Sequence, residues 1–483
     1  VLWRAVRDNW QAFLADADRN NRHVPPFIED AFEKFLGCGH LAGGFARMRC
    51  NQCGDEQLVP FSCKTRGLCP SCEARRMNEQ AAHLVDAVFP RVPVRQWVLT
   101  VPHWLRYKIA WDHDLTGEVL RVFTRTLTAW YRARARRLGI DDPRCAAVTQ
   151  IQRFGDGLRL SPHFHTLFVD GVWSKPAEDW PAAFYPFPPP SDDDVAALAA
   201  LVRRKVLRRL LRLGVVVDGE EAEDAVEDDE PALALCSKAS LLNRIAVGEK
   251  RGRLVATLMT EPPEPKPHGR RCAIVQGFSI HANTYVAPQA RPQLEALCRY
   301  ITRPAVCDAR LDKLPDGRIR MAFKNTWSNG ATARVFEPVD FIAKLVPLVV
   351  RPRINLLRYH GQFAGNAAWR AEICRAPGSR TTECGVDDET AASDRDPARR
   401  RRYSWSELLR RCFAVDVATC RCGGRKEIIA LIHAGPTCRK ILDHLDLPSN
   451  APRFRPARGP PDLWSAANDD HVEADTDWDS YAA

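Results

Sequence analysis

Two cysteine knuckles carry the densest chemistry in the chain: Cys50-Asn-Gln-Cys53 and, fifteen residues later, Cys69-Pro-Ser-Cys72. Thiolates at this spacing suit one tetrahedral Zn2+, so Cys50, Cys53, Cys69 and Cys72 are the expected ligands. Cys38 and Cys63 are further candidates, with His40 beside them. The flanks are basic: Arg47, Arg49, Lys64, Arg66, Arg75 and Arg76. Of these, Lys64, Arg66, Arg75 and Arg76 are expected to meet a phosphate backbone. A purely structural zinc ribbon is the plainer alternative.

A second chemistry lies in His163-Phe164-His165. On a strand, alternation points both imidazoles to one face and sends Phe164 to the other. Two neutral imidazoles side by side form half a site for a divalent ion. Gln152, on the preceding strand, is the favoured third ligand, with Asp156 and His281 as alternatives. The third chemistry is a phenol, Tyr300, in Leu-Cys-Arg-Tyr-Ile-Thr-Arg-Pro. Leu294, Leu297, Cys298 and Ile301 form the apolar stripe of its helix, and Tyr300 falls on the flank of that stripe. A phenol attacks poorly at neutral pH unless a metal polarises its target. Arg299 and Arg303 sit close enough in sequence to hold a phosphodiester. Taken alone, Tyr300 reads more readily as a partly buried aromatic at a helix edge.

The elements that must position these groups follow from periodicity and punctuation. Residues 1–35 are helical in pattern, with Trp3, Val6, Trp10, Phe13 and Leu14 at helical spacing. A helix over 78–87 follows the cysteine module, then a strand over 94–101 ending at Pro102. A long helix over 112–138 closes at Gly139. Strands over 146–154 and 163–169 flank the Gly155-Asp156-Gly157 turn. Ser191 caps a basic helix that runs to Gly214. Further strands are expected over 272–280 and 318–324, with a helix over 289–302 between them, stopped by Pro304.

Composition sets the class. The chain has 483 residues, 70 Lys+Arg against 60 Asp+Glu, a formal net charge of +10 and 17 cysteines. This length allows two or three domains, and the moderate basicity favours a polyanionic partner. Cysteines at metal spacing fit a reducing cytosol better than a disulfide scaffold. No apolar run reaches the length of a membrane span. An acidic run at 218–230 reads as a solvated insertion, 376–402 as a polar linker and 459–483 as an acidic disordered tail. Between the last two, 403–458 reads as a small C-terminal unit with an apolar helix over 428–447.

In this order, the zinc module, Gln-x-Arg-Phe-Gly, Pro-His-Phe-His and Leu-Cys-Arg-Tyr-Ile-x-Arg-Pro resemble the rolling-circle transposases of the insertion sequence ninety-one and ISCR type. The resemblance extends through Arg-Pro-Arg-Ile-Asn at 351–355, Arg-Tyr-His-Gly at 358–361 and Cys-Gly-Gly-Arg ending at 425. It implies an α+β fold: an antiparallel-sheet HUH-type nuclease core flanked by helices at 91–375, behind a zinc-binding, DNA-binding module at 1–90. It implies a DNA strand-transferase that nicks and rejoins single-stranded DNA. His163 and His165 would hold Mg2+ or Mn2+, structural Zn2+ would sit among the cysteines, and Tyr300 would form a 5′-phosphotyrosine link. A bacterial cytoplasmic, nucleoid-associated protein is implied as well. Some relatives carry a second tyrosine four residues earlier, where this chain has Ala296, so the single-tyrosine branch is indicated. Relatives also tend to have a C-terminal Cys-x-x-Cys. Here only Cys420-x-Cys422 is present, which speaks against a zinc site there. A plasmid replication initiator or relaxase would use the same chemistry. A non-catalytic zinc-dependent DNA-binding protein would not.

Overall fold

Val6, Trp10 and Phe13 recur every three to four residues and bury one face of the helix Leu2–Arg19. The computed structural model describes residues 1–177, 180–217, 220–221, 230–263, 269–374, 407–408, 410 and 418–456. The continuous helical stretch expected at the N-terminus is two helices, Leu2–Arg19 and Pro26–Leu36. Pro25 and Pro26 explain the break, because proline cannot continue a helix yet suits its first turn. Trp10 stacks on Phe32 with ring centroids 4.0 Å apart and fastens the two helices together.

The cysteine module follows as β1 (Gly44–Cys50) and β2 (Glu56–Pro60), an antiparallel pair. The third strand of this sheet comes from the other end of the chain. Lys426–His433 pairs antiparallel with β1, placing Gly44 opposite His433 and Cys50 opposite Lys426. The apolar helix expected over 428–447 is therefore this strand plus a shorter helix, Pro436–His444. The isoleucines of Lys-Glu-Ile-Ile-Ala-Leu-Ile-His favour a pleated strand, and Pro436 is a natural first helical residue. So the described part of the C-terminal unit is built into the N-terminal module. The linker at 376–402, the tail at 459–483 and most of the acidic insertion at 218–230 lie outside the described residues.

A seven-stranded sheet forms the centre, from β3 (Val94–Thr100), β4 (Ala146–Phe154), β5 (Leu160–Val169) and four shorter strands. Its order is Cys272–Val275, Phe278–His281, β3, β5, β4, Leu357–Gly361, with Tyr285–Val286 also on β3. Every pairing is antiparallel. The single strand expected over 272–280 is a tight hairpin. Gln276 and Gly277 both have positive φ, 46° and 81°, as a two-residue hairpin turn requires. The expected strand at 146–154 and the tyrosine helix, Arg291–Ile301, appear as anticipated.

One face of this sheet is core. Trp97, Leu99, Phe164 and Phe168 are fully or almost fully buried there, in one cluster with Phe123, Leu127 and Tyr131 of the helix His113–Arg137. Tyr131 stacks on Phe168 at 4.4 Å and donates its hydroxyl to Asp170, which also pairs with the buried Arg95. Asp112 caps that helix, and a Ser191–Asp194 capping box starts the next one, Asp192–Arg212. A short helix, His103–Trp111, was not anticipated from periodicity. The opposite face of the sheet is where the histidines point.

Candidate active site and thiol clusters

Strand register assembles the imidazole site. His163 lies opposite Thr100 on β3 and Gln152 on β4, while His165 lies opposite Val98 and Gln150. Directly paired residues share a face, so His163, His165, Gln150 and Gln152 all project away from the Phe164 core. The two imidazole rings are 4.8 Å apart, centroid to centroid. Tyr300 meets them edge-on, its ring 5.8 Å from that of His165 at 88°. The tyrosine itself is 40% exposed, so its ring touches the site while one side faces solvent. The three residues singled out for chemistry are thus brought together.

Hydrogen bonding sets the tautomers. His163 donates from Nδ1 to the Ser161 carbonyl at 2.6 Å, which leaves Nε2 as the lone-pair nitrogen. The amide nitrogen of Gln96 lies 2.7 Å from Nδ1 of His165. Exchanging that amide's oxygen and nitrogen, which have the same shape, is what would make Nδ1 the donor and leave Nε2 of His165 with the lone pair. Burial pushes both imidazoles down from the ordinary histidine range, with the positive charge of Arg303 adding to it; His165 reaches about 3. Both rings are therefore neutral at physiological pH, the state in which imidazole binds a metal.

Two glutamines of β4 stand near the third position. Gln152 uses its amide nitrogen to donate to the carbonyls of Ile301, at 2.6 Å, and Tyr300, at 3.3 Å. It ties β4 to the C-terminal end of the tyrosine helix, where carbonyls lack helical partners. Gln150, directly opposite His165, has its side-chain oxygen buried without a partner, and so does Nε2 of His165. These two buried polar atoms stand on directly paired residues of the same sheet face. Of the other candidates, Asp156 is engaged by Arg310 and by the backbone N–H of Lys324. His281 shares the face but stands opposite Val98, two strands from His165 and so roughly 10 Å away.

Cations ring the phenol. Arg303 lies over the Tyr300 ring at 4.5 Å and the Lys324 ammonium at 5.8 Å. Lys324 follows the strand Ile319–Ala322 of a separate four-stranded sheet, and nothing in its local sequence marked it. Arg106, on the unanticipated helix, depresses His163 further and so is electrostatically close to it. Arg299 pairs loosely with Glu295 at 3.9 Å, one turn back on its own helix. Gln96, Gln150, Arg106 and Lys324 are therefore site residues that motif reading missed. Only strand parity, for the two glutamines, could have raised them. A separate pocket lined by Ile151, Arg153, Pro162, Arg358 and His113 holds none of the site residues.

The cysteines form two clusters rather than one. Cys38, Cys63, Cys69 and Cys72 make the first, and Cys50, Cys53, Cys420 and Cys422 the second. The expected grouping of Cys50 and Cys53 with Cys69 and Cys72 is thus corrected. β1 and β2 carry the first knuckle to the far end of the small sheet, while the second knuckle opens the helix Pro70–His83. Sulfur separations of 3.4 Å for Cys63–Cys72 and 3.5 Å for Cys50–Cys422 exceed a disulfide's ~2.05 Å. They approach the ~3.8 Å edge of a tetrahedron with ~2.3 Å metal–sulfur bonds. The basic flanks divide: Lys64 and Arg75 are exposed, whereas Arg66 donates to the carbonyls of Arg351 and Ile354. Arg76 pairs with Glu73 and the Lys64 carbonyl. Arg66 thus ties the module to residues 351–354, and Arg76 braces the second knuckle's helix against Lys64.

Comparison with known families agrees at the level of domains. Residues 5–101 match the family model described as the transposase zinc-binding domain of IS91 type, and residues 146–370 match a transposase model, Y2_Tnp. The first match contains the whole Cys38/Cys63/Cys69/Cys72 cluster, and the second contains β4, β5 and Tyr300. No curated protein and no solved structure matches the chain. Among the described residues no helix is long and apolar enough to cross a membrane.

Proposed function

Because the chain belongs to the IS91-type transposases, proteins that act on DNA, we propose that it nicks and rejoins single strands through a covalent phosphotyrosine. The observation that carries this reading is the 5.8 Å ring contact of Tyr300 with His165, whose imidazole lies 4.8 Å from that of His163 on the same sheet face. In the proposed step Tyr300 Oη bonds to phosphorus and loses its proton. The P–O3′ bond breaks, and the departing O3′ takes up a proton to leave a free 3′-hydroxyl. Rejoining is the reverse attack by a 3′-hydroxyl on the phosphotyrosine. The sheet face would then be the HUH-type core that the resemblance implies.

The residues fit a divalent cation held by Nε2 of His163, Nε2 of His165 and the side-chain oxygen of Gln150. Mg2+ or Mn2+ there would polarise the scissile phosphate. Gln152 is assigned a different role, holding the end of the tyrosine helix against β4. Arg303 and Lys324 would draw the phosphate toward the phenol and favour its ionised form. Zn2+ belongs in the thiol clusters, since soft sulfur ligands select it over Mg2+.

The test is a covalent adduct. Incubated with single-stranded DNA from the element's ends and Mg2+ or Mn2+, the wild type should yield a protein–DNA band, and Tyr300→Phe none, with DNA affinity retained. Mass spectrometry of the adduct should place the nucleotide on Tyr300 and not on Tyr285 or Tyr359. Failure of the wild type to form any adduct on such ends would leave the chain a zinc-dependent DNA-binding protein.

A further inference from the structure

The second thiol cluster joins residues 367 and 372 positions apart, and two of its members lie outside both family matches. Cys50 and Cys53 sit at the turn between β1 and β2, and Cys420 and Cys422 precede the strand Lys426–His433. Cys50 Sγ is 3.5 Å from Cys422 Sγ, and Cys53 Sγ is 3.6 Å from Cys420 Sγ. We infer that these four thiols form a second zinc site, made from the two ends of the chain, that locks the C-terminal segment onto the N-terminal module.

The backbone around the cluster is shaped for it. The Gln52 N–H points to Cys50 Sγ at 3.5 Å, and the Gly424 N–H points to Cys422 Sγ at 3.4 Å. N–H groups aimed at sulfur stabilise thiolate, the form that binds metal. Asn51 and Arg425 bond each other reciprocally: the Asn51 N–H donates to the Arg425 carbonyl at 3.0 Å, and the Arg425 N–H to Asn51 Oδ1 at 3.0 Å. That bridge fixes one knuckle against the other. Gly423 is left-handed, with φ 88°. At Gly424 a Cβ would fall 2.7 Å from Cys50 Sγ and 2.9 Å from Gln52 Cβ. The Gly-Gly pair lets Cys420-x-Cys422 close on the partner knuckle in spite of its shortened spacing.

Among the described residues the other ties on this segment are modest. One apolar cluster has only Phe45, Cys438 and Leu442 fully buried, with partly buried neighbours such as Leu58 and Ile432. Further along, Phe454 tilts against Trp10 at 6.3 Å, the Arg455 N–H donates to the Arg7 carbonyl at 2.9 Å, and the Arg455 guanidinium lies 3.2 Å from Asp8. On Lys426–His433 itself Ile428, Ile429 and Leu431 are largely exposed. A three-residue core and one strand pairing are marginal for so small a unit, which is where a structural metal commonly supplies the folding energy. Binding releases the protons of the four thiols to solvent and forms a tetrahedral four-sulfur centre.

The experiment is a zinc count on the full-length protein, paired with amide hydrogen exchange over 426–433. Wild type should hold two zinc ions per chain. Cys420→Ser/Cys422→Ser should hold one and should exchange the 426–433 amides at least tenfold faster, with the 146–169 amides unchanged. Gly424→Val keeps every cysteine, yet should also fall to one ion, because its side chain occupies the space of Cys50 Sγ. One zinc in the wild type, or two in the double variant, would overturn the site. One zinc lost with 426–433 still protected would overturn the locking role.

Discussion

The imidazole site and the thiol clusters are both suited to metals, but they stand on different supports. His163 and His165 ride on a strand whose other face, through Phe164 and Phe168, is packed into the largest core among the described residues. The geometry of that site is paid for by the sheet before any ion arrives. The thiols ride on short strands and turns, and beside the second cluster only Phe45, Cys438 and Leu442 form a buried apolar group. A ligand removed from the sheet should cost chemistry and leave the fold, whereas a ligand removed from a cluster should cost the fold around it.

The sharpest way to break that contrast is His163→Ala. We expect cleavage to fall by about 1,000-fold or more, the scale of losing metal polarisation at a phosphate. The melting temperature and single-strand affinity should stay near wild type. A variant that unfolds would show that the site supports the sheet and not the reverse. Cys69→Ser tests the other side. One zinc should be lost and the region around the helix Pro70–His83 destabilised by about 3 kcal/mol or more. Retention of two ions with unchanged stability would remove the contrast.

What was legible in the sequence divides along the same line. Strand alternation gave the common face of His163 and His165, and helical spacing gave the exposed flank that Tyr300 occupies; both are local. The two cysteine knuckles were legible as knuckles, but not as partners. A Cys-x-x-Cys spacing reports that two thiols converge, and says nothing of which other pair the fold delivers. Cys50 and Cys53 were matched to the nearest pair in sequence, while sheet pairing of Lys426–His433 with β1 delivered Cys420 and Cys422. Gln150 was passed over for a related reason. Register fixes which glutamine faces His165, and register between two strands depends on their tertiary setting. Lys324 arrives from a different sheet, with no local mark at all.

Acid should separate the supports further. His360, on the strand beside β4, is held near about 4 by burial, against an ordinary value of 6.5. Its folded-state pKa is depressed, so above about pH 6.5 it is neutral in both states and costs nothing. As pH falls from 6.5 toward 4 the unfolded chain takes up the proton and the folded chain does not. Stability should therefore drop by about 2 kcal/mol at pH 5 from this residue alone. Urea denaturation of wild type and His360→Asn at pH 7 and pH 5 checks this. The variant should lose less between the two, and an equal loss in both would rule out His360 as the source.

The two glutamines give a smaller and more discriminating effect. Gln150→Ala should raise the Mg2+ or Mn2+ concentration for half-maximal cleavage about tenfold, with the rate at saturating metal nearly kept. Gln152→Ala should do the opposite, lowering the saturated rate while leaving the metal requirement alone, because it frees the end of the Tyr300 helix. An exchange of these two behaviours would restore Gln152 as the ligand. The comparison would survive that exchange, since both residues stand on β4.

The smallest expected effect concerns Lys324, the site residue that follows a strand of the separate four-stranded sheet. Its ammonium lies 5.8 Å from the centre of the Tyr300 ring. At that distance and exposure a cation is worth about 0.5–1 kcal/mol, so Lys324→Ala should slow cleavage about threefold to fivefold. The loss should appear in the rate at saturating DNA if the lysine acts on the phenol or on the attacked phosphate. It should appear only in DNA affinity, and vanish at high salt, if Lys324 is one more surface contact to the backbone. Arg303→Ala provides the scale: closer to the ring at 4.5 Å, and near enough to depress both histidines, it should cost more. A Lys324 effect as large as that of Arg303 would mean that the four-stranded sheet helps to build the site, and that the support of the chemistry is wider than the histidine-bearing strands.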